Sequence, residues 1–266
     1  MTTDGLDVRG LTVRYGGATA VDAVTLRALG GRRTGLIGPN GAGKTSTFNA
    51  CAGLVTPTAG SVFLDGADVS RLGAAERAQR GLGRTFQRME LFASMTVAEN
   101  VALGREARLA GSSVLRQLLG RPGERARVAA SADEALEVCG LTRIAHRRAG
   151  GLSTGERRLV ELARAYAGGF SVLLLDEPAS GLDETETAQL AEILGSMVSE
   201  RGTAILIVEH DMALVMKICD YLYVLDFGEL IFEGTPAETL ASDVVRSAYL
   251  GAEEGLEAAE HQAGVI

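Results

Sequence analysis

Gly38-Pro39-Asn40-Gly41-Ala42-Gly43-Lys44-Thr45 decides the fold. It satisfies the pattern Gly-x-x-x-x-Gly-Lys-Ser/Thr in full, with the apolar run of residues 34–37 before it and helix-forming sequence from Lys44 onward. Glycines at these spacings let the backbone curl until successive N–H groups face phosphate oxygens, and the following helix N-terminus adds positive potential. In such a loop Lys44 holds the β- and γ-phosphates, the Thr45 hydroxyl ligates Mg²⁺, and Ser46 continues the phosphate-facing turn. Lysine occurs only at positions 44 and 217 in an arginine-rich chain, so Lys44 stands out against the composition. The structural alternative is a Gly-rich turn joining a strand to a helix, and the agreement of pattern with context argues against it.

Working outward, Val172-Leu-Leu-Leu-Asp176-Glu177 is an apolar run ending in two carboxylates. Many strands end in Asp or Glu at solvent. Beside a phosphate loop in a parallel sheet, Asp176 is placed to bind Mg²⁺ and Glu177 to polarise an attacking water. After Ser153 the pattern alternates helix and short apolar strand, with strands at 172–175, 204–208 and 222–225. Wholly apolar strands alternating with helices indicate an α/β fold, a P-loop NTPase whose mostly parallel core sheet is covered on both faces. Asp226-Phe-Gly228 then turns into a second arm, 230–232.

The first thirty residues or so read as strands, with apolar alternation at Leu6-Val8 and Leu11-Val13-Tyr15, and Val62-Phe-Leu64 with Asp65-Gly66 reads as a hairpin arm and its turn. These predict an N-terminal antiparallel β subdomain. From about Ala74 to Leu141 the pattern is mostly helical, broken at Arg121-Pro-Gly123 and capped at Gly140. Thr96-Val-Ala-Glu99 and Ser153-Thr-Gly-Glu156 have the Ser/Thr-x-x-Glu form of a capping box and mark helix starts. Beyond Gly251 the chain is acidic and weakly patterned, a tail expected to fray or cover a surface.

Composition narrows the function. A net charge of −8 argues against non-specific nucleic-acid binding, and no nucleic-acid partner is expected. No apolar run approaches the ~18 residues that span a bilayer, and residues 1–10 lack the regions of a signal peptide, so any membrane role must come through a partner. Cys51, Cys139 and Cys219 form no Cys-x-x-Cys, and the three histidines are equally scattered, so neither a disulfide framework nor His/Cys metal ligation is expected.

Leu152-Ser153-Thr154-Gly155-Glu156, one helix before the Asp176 run, resembles the signature sequence LSGGQ of ABC (ATP-binding cassette) proteins, departing from it at Thr154 and Glu156. Ser153 and the Gly155 backbone at a helix N-terminus form a second phosphate-binding surface, and Glu156 can at the same time serve as the cap's carboxylate. In that family the surface faces the nucleotide of the other subunit. The resemblance implies further roles in family order. Tyr15 matches the aromatic that stacks on adenine. Gln87, in Arg84-Thr-Phe-Gln87, matches the glutamine that senses Mg²⁺ and γ-phosphate. Asp183, in Ser180-Gly-Leu-Asp183, lies in the loop that crosses the dimer interface. His210, after the 204–208 strand, matches the histidine that contacts the γ-phosphate. Read alone, Tyr15 is a packing residue and His210 a structural or exposed one.

The resemblance covers about residues 6–251, with a helical subdomain at about 88–165 and the acidic tail at 252–266. Within the family, Arg84-Thr-Phe-Gln87 with Leu91-Phe92 and Met95-Thr-Val-Ala-Glu-Asn100 is similar to the ATPases of branched-chain amino-acid importers. So are Glu209-His-Asp-Met212 with Val215-Met216, the stretch from Val224 to Pro236, Ala248-Tyr-Leu-Gly251, and the helical insert near 103–131. This implies an ATPase using ATP and Mg²⁺, peripheral on the cytoplasmic face of the cell membrane. Its implied partners are a second ABC ATPase or a second copy of itself, integral membrane permeases and, indirectly, an extracytoplasmic solute-binding protein. Lipopolysaccharide-exporter ATPases and non-transport ABC ATPases remain the alternatives. The latter usually carry coiled coils, Cys clusters or tandem cassettes, none of which is visible.

Overall fold

The computed structural model describes residues 5–85, 91–110, 122–209 and 212–249. The first strands form an antiparallel sheet of β1 (Gly5–Tyr15), β2 (Ala18–Leu29), β4 (Ala59–Leu64) and β5 (Ala67–Asp68), in the order β2-β1-β4-β5. Val8 and Leu11 are three residues apart, an odd spacing that puts them on opposite faces of a regular strand. Both are buried nonetheless, because the pairing register shifts between them, Val8 lying opposite Leu26 and Leu11 opposite Val24. The two apolar segments seen in the sequence are therefore one strand with an irregularity, which keeps both on the core side.

The second sheet takes the order β10-β9-β3-β8-β7-β6, from β3 (Arg33–Ile37), β6 (Leu82–Arg84), β7 (Val172–Asp176), β8 (Ala204–Val208), β9 (Tyr221–Asp226) and β10 (Glu229–Gly234). All pairings are parallel except β10 on β9, which are joined by the turn at Asp226-Phe-Gly-Glu229. Every residue of β7 and β8 is buried, and the period of two sorts them into two cores. Leu173, Leu175, Ile205 and Ile207 join a core with the helices on one face. Val172, Leu174, Leu206 and Val208 join the antiparallel sheet and Phe48 on the other. This is why these strands read as unbroken apolar runs.

The expectation of mostly helical structure over 74–141 needs one correction: Leu82–Arg84 is β6, the edge strand parallel to β7. Three residues centred on a glycine are too short to show periodicity, and β6 is a strand because β7 offers it an open edge. The helices are α1 (Lys44–Ala52), α2 (Ala74–Gln79), α3 (Val97–Ala110), α4 (Pro122–Val138), α5 (Thr154–Gly168), α6 (Glu184–Arg201), α7 (Met212–Ile218) and α8 (Pro236–Ala241). Helices α3, α4 and α5 pack on one another. Both predicted capping boxes form: Ser153 Oγ accepts from the Glu156 N–H at 3.1 Å, and Thr96 Oγ1 accepts from that of Glu99 at 3.2 Å. Gly140, at φ 67°, closes the α4 region as expected.

Helix α1, which begins at the Gly-rich loop, is held at its far end by an arginine that periodicity does not reveal. Arg77, only 1% exposed, donates to the carbonyls of Ala50 and Cys51 at 2.7 Å each, Leu72 at 2.9 Å and Ser70 at 3.2 Å. A guanidinium there satisfies helix-terminal carbonyls and complements the helix dipole. Arg77→Met should lower stability by about 2–4 kcal/mol, because buried carbonyls lose a charged donor. Urea unfolding with the wild-type midpoint would contradict this role.

Candidate nucleotide site

The carboxyl ends of β3, β7, β8 and β9 meet on one side of the core sheet, where ligands bind in open parallel sheets. The chain from Gly38 to Gly43 leaves β3 there and enters α1. Gly38 (φ 147°) and Gly43 (φ 93°) are the positions where only glycine fits. A Cβ on the first would lie 2.0 Å from the Leu225 carbonyl oxygen, and on the second 2.5 Å from that of Ala20. The loop is also tied to the β9–β10 turn, where Gly228 N–H donates to Ala42 O at 3.2 Å.

The start of α1 differs from those of α5, α6 and α8. Each of the latter opens on a Ser, Asp or Thr whose side chain accepts a helix N–H and a Glu that returns the bond. Helix α1 has Gly43 at its cap, no side-chain cap bond and no acid in its first turn. Its leading N–H groups are thus left to an anion rather than to the chain's own carboxylates. Lys44 reaches back across the loop, with Nζ 2.6 Å from Gly38 O and 2.8 Å from Pro39 O. Burial lowers the Lys44 pKa, and the Glu177 carboxylate nearby opposes that shift.

Asp176 ends β7 with only 8% of its surface exposed. Burial raises its pKa, opposed by the Arg84 guanidinium, whose Nη2 lies 3.1 Å from Asp176 Oδ2. Its backbone N–H is within 3.4 Å of Thr85 Oγ1. Glu177 follows at φ 46°, a left-handed conformation for a residue other than glycine, with its N–H bonded to Val208 O at 2.9 Å. Such a conformation costs about 1–3 kcal/mol and clusters at functional sites. The neighbouring Glu209, also buried, accepts from the Ala179 N–H at 3.0 Å and ties the 177–180 turn to the end of β8.

The donors offered near the loop are a hydroxyl, Thr45, and a carboxylate, Asp176. These hard oxygens suit Mg²⁺ held jointly with phosphates. Among the described residues no group of three or more His, Cys, Asp or Glu could hold a metal by itself. Tyr15 ends β1, about half exposed, and pairs with Ala18. Two residues on, about 7 Å along the strand, the Ala20 carbonyl abuts Gly43, which brings the Tyr15 end of the hairpin to the mouth of the loop.

A second group sits at the N-termini of α5 and α6. Ser153 N–H donates to Glu156 Oε2 at 2.8 Å, and Glu156 Oε1 accepts from Arg147 at 2.8 Å. Asp183 caps α6, its Oδ1 accepting from the Glu186 N–H at 2.8 Å. The two caps touch. A Cβ on Gly155 would lie 1.7 Å from Glu186 Oε1, and one on Gly181 would lie 3.2 Å from the Thr154 methyl. Gly155 is therefore glycine for the sake of the adjoining cap. The sequence missed Glu186, Arg147 and the Arg84–Asp176 pair, which join residues remote along the chain and leave no periodic signal. Gln87 and His210 lie outside the described residues.

The chain is similar in sequence and fold to known proteins. The ABC transporter family pattern matches residues 21–180. The chain is 39% identical over 249 residues to the high-affinity branched-chain amino acid transport ATP-binding protein BraF of Pseudomonas aeruginosa, covering 92% of this chain and 97% of that one. The corresponding protein LivG of Escherichia coli shows the same identity and coverage. The lipopolysaccharide export ATP-binding protein LptB of Haemophilus influenzae is 34% identical with equal coverage. Among solved structures, the ADP conformation of MJ1267, an ATP-binding cassette of an ABC transporter, superposes with a TM-score of 0.81 at 30% identity, covering 94% of this chain and all of that one. With its uncapped phosphate-loop helix, paired strand-end carboxylates and near end-to-end match to these relatives, the chain belongs to the ABC transporter family.

Proposed function

We propose that this chain is the ATP-hydrolysing subunit of an importer for branched-chain amino acids or related small polar solutes. The observation that carries the reading is the 39% identity to BraF and LivG across 97% of their length. In this reading residues 1–251 form the cassette, with a helical subdomain at about 88–165 that meets a membrane permease. No helix among the described residues is long and apolar enough to cross a membrane. The chain then works as a peripheral partner on the cytoplasmic face.

The backbone from Gly38 to Ser46 cradles the phosphates, Lys44 moves from its loop carbonyls onto the β- and γ-phosphates, and Tyr15 stacks on the adenine. Thr45, Asp176 and Gln87 hold Mg²⁺, which when bound draws charge from the phosphate oxygens. Glu177 takes a proton from the attacking water and His210 steadies the γ-phosphate. Ser153, Gly155 and Glu156 of one cassette, with Asp183, close over the nucleotide of another, either a second ATPase or a second copy. Closure and reopening are passed to the permeases.

The 34% identity to the lipopolysaccharide export protein supports export as the second reading. Proteoliposomes holding this chain, integral membrane permeases of an import system and a solute-loaded binding protein decide between them. Import predicts ATP-driven uptake of a radiolabelled branched-chain amino acid, stimulated several-fold by the binding protein. ATP hydrolysis without uptake of any branched-chain or small polar solute would overturn the import reading and leave the ATPase intact.

A further inference from the structure

Arg84 stands at the end of the edge strand β6, where it joins two parts of the site that lie far apart in sequence. Its Nη1 donates to Asn49 Oδ1 at 2.8 Å, its guanidinium carbon lies 5.0 Å from the centroid of the Phe48 ring, and its Nη2 is 3.1 Å from Asp176 Oδ2. Asn49 and Phe48 belong to α1, the helix that opens with Lys44 and Thr45, while Asp176 ends β7. One planar side chain thereby fixes the distance between the phosphate-loop helix and the strand-end carboxylate. The Arg84 and Asp176 side chains are each only 11% exposed, so their attraction is weakly screened.

We propose that Arg84 is a positioning residue that aims Asp176 and supplies the positive charge at that carboxylate when no divalent cation is present, so that ATP can enter the site with or without Mg²⁺. The inference rests on the nucleotide-site reading given above. Metal-free ATP brings its phosphates toward Asp176 and Glu177, and like charges brought together in a half-buried site repel. Lys44 offsets part of that charge and Arg84 another part. Without Arg84 the penalty falls mainly on metal-free nucleotide, because Mg²⁺ restores the missing charge when it accompanies ATP. A purely structural arginine would weaken both forms alike.

The measured quantity is the ratio of the Kd for a non-hydrolysable ATP analogue in EDTA to that in excess Mg²⁺, by calorimetry on the whole chain. Arg84→Met should raise this ratio about tenfold, the scale of one partly screened charge pair. Arg84→Gln, which keeps hydrogen-bonding capacity, should raise it as much and stands in if the Met variant does not fold. Arg84→Lys keeps the charge and should hold the ratio within about threefold of wild type. Asn49→Ala breaks the helix link, keeps the charge, and should leave the ratio unmoved. A wild-type ratio in folded Arg84→Gln, or an equal rise in Arg84→Lys, overturns the inference and leaves the nucleotide site standing. A wild-type chain that binds no ATP analogue overturns both.

Discussion

Glu177→Gln should bind ATP with near wild-type affinity and lose hydrolysis by about 10²–10⁴-fold, the range assigned to a positioned general base. The side chain follows Asp176 at the carboxyl end of β7, and the backbone places it by force. Its φ of 46° is held by the bond from its N–H to Val208 O and by Ser180 N–H returning to its carbonyl at 3.1 Å. Glutamine keeps the shape, the left-handed backbone and the hydrogen-bonding reach, and removes only the basic oxygen. Its effect is therefore confined to chemistry. Single-turnover phosphate release and equilibrium ATP binding on the same preparation separate the two. Near-normal phosphate release would remove Glu177 from the role of base.

The parts of this molecule legible in its sequence are those where one local pattern decides the outcome. Residues 172–175 and 204–208 are apolar throughout because both faces of those strands are covered. The turn at Asp65-Gly66 and the boxes at Thr96 and Ser153 carry their geometry in the identity of a few neighbouring residues. The loop at 38–45 is legible for the same reason, since Gly38 and Gly43 are required by the backbone path itself.

What escaped is what the fold assembles from remote pieces. β6 exists because β7 has a free edge, which the three residues Leu82-Gly-Arg84 do not announce. Arg84 meets Asp176 across a separation of 92 residues, and Arg77 reaches carbonyls 26 and 27 residues away. Glu186 looks like an ordinary cap residue until α5 is laid against α6 and its carboxylate is found on Gly155. For Arg84 and Arg77, a charged side chain finds its role only after topology brings its partners near.

The claim that organises the proposed mechanism is that the site is completed by a second cassette. If instead the site were self-contained, Ser153 would be a helix cap and nothing more. Replacing it would cost about 0.5–2 kcal/mol of stability and leave nucleotide chemistry alone. Its backbone and hydroxyl do make that cap, with the residue itself exposed at the start of α5. In a composite site the same exposed N-terminus meets the γ-phosphate bound by the opposite cassette, and a bulky cation at 153 blocks the approach without touching the phosphate loop of its own chain. The decisive measurement is light scattering of Glu177→Gln and of Glu177→Gln/Ser153→Arg with and without Mg-ATP, each alone and mixed with the second ATPase of the system. The composite site predicts an ATP-dependent dimer for the single variant and a monomer that still binds ATP for the double variant. An ATP-stabilised dimer that persists in the double variant would contradict it.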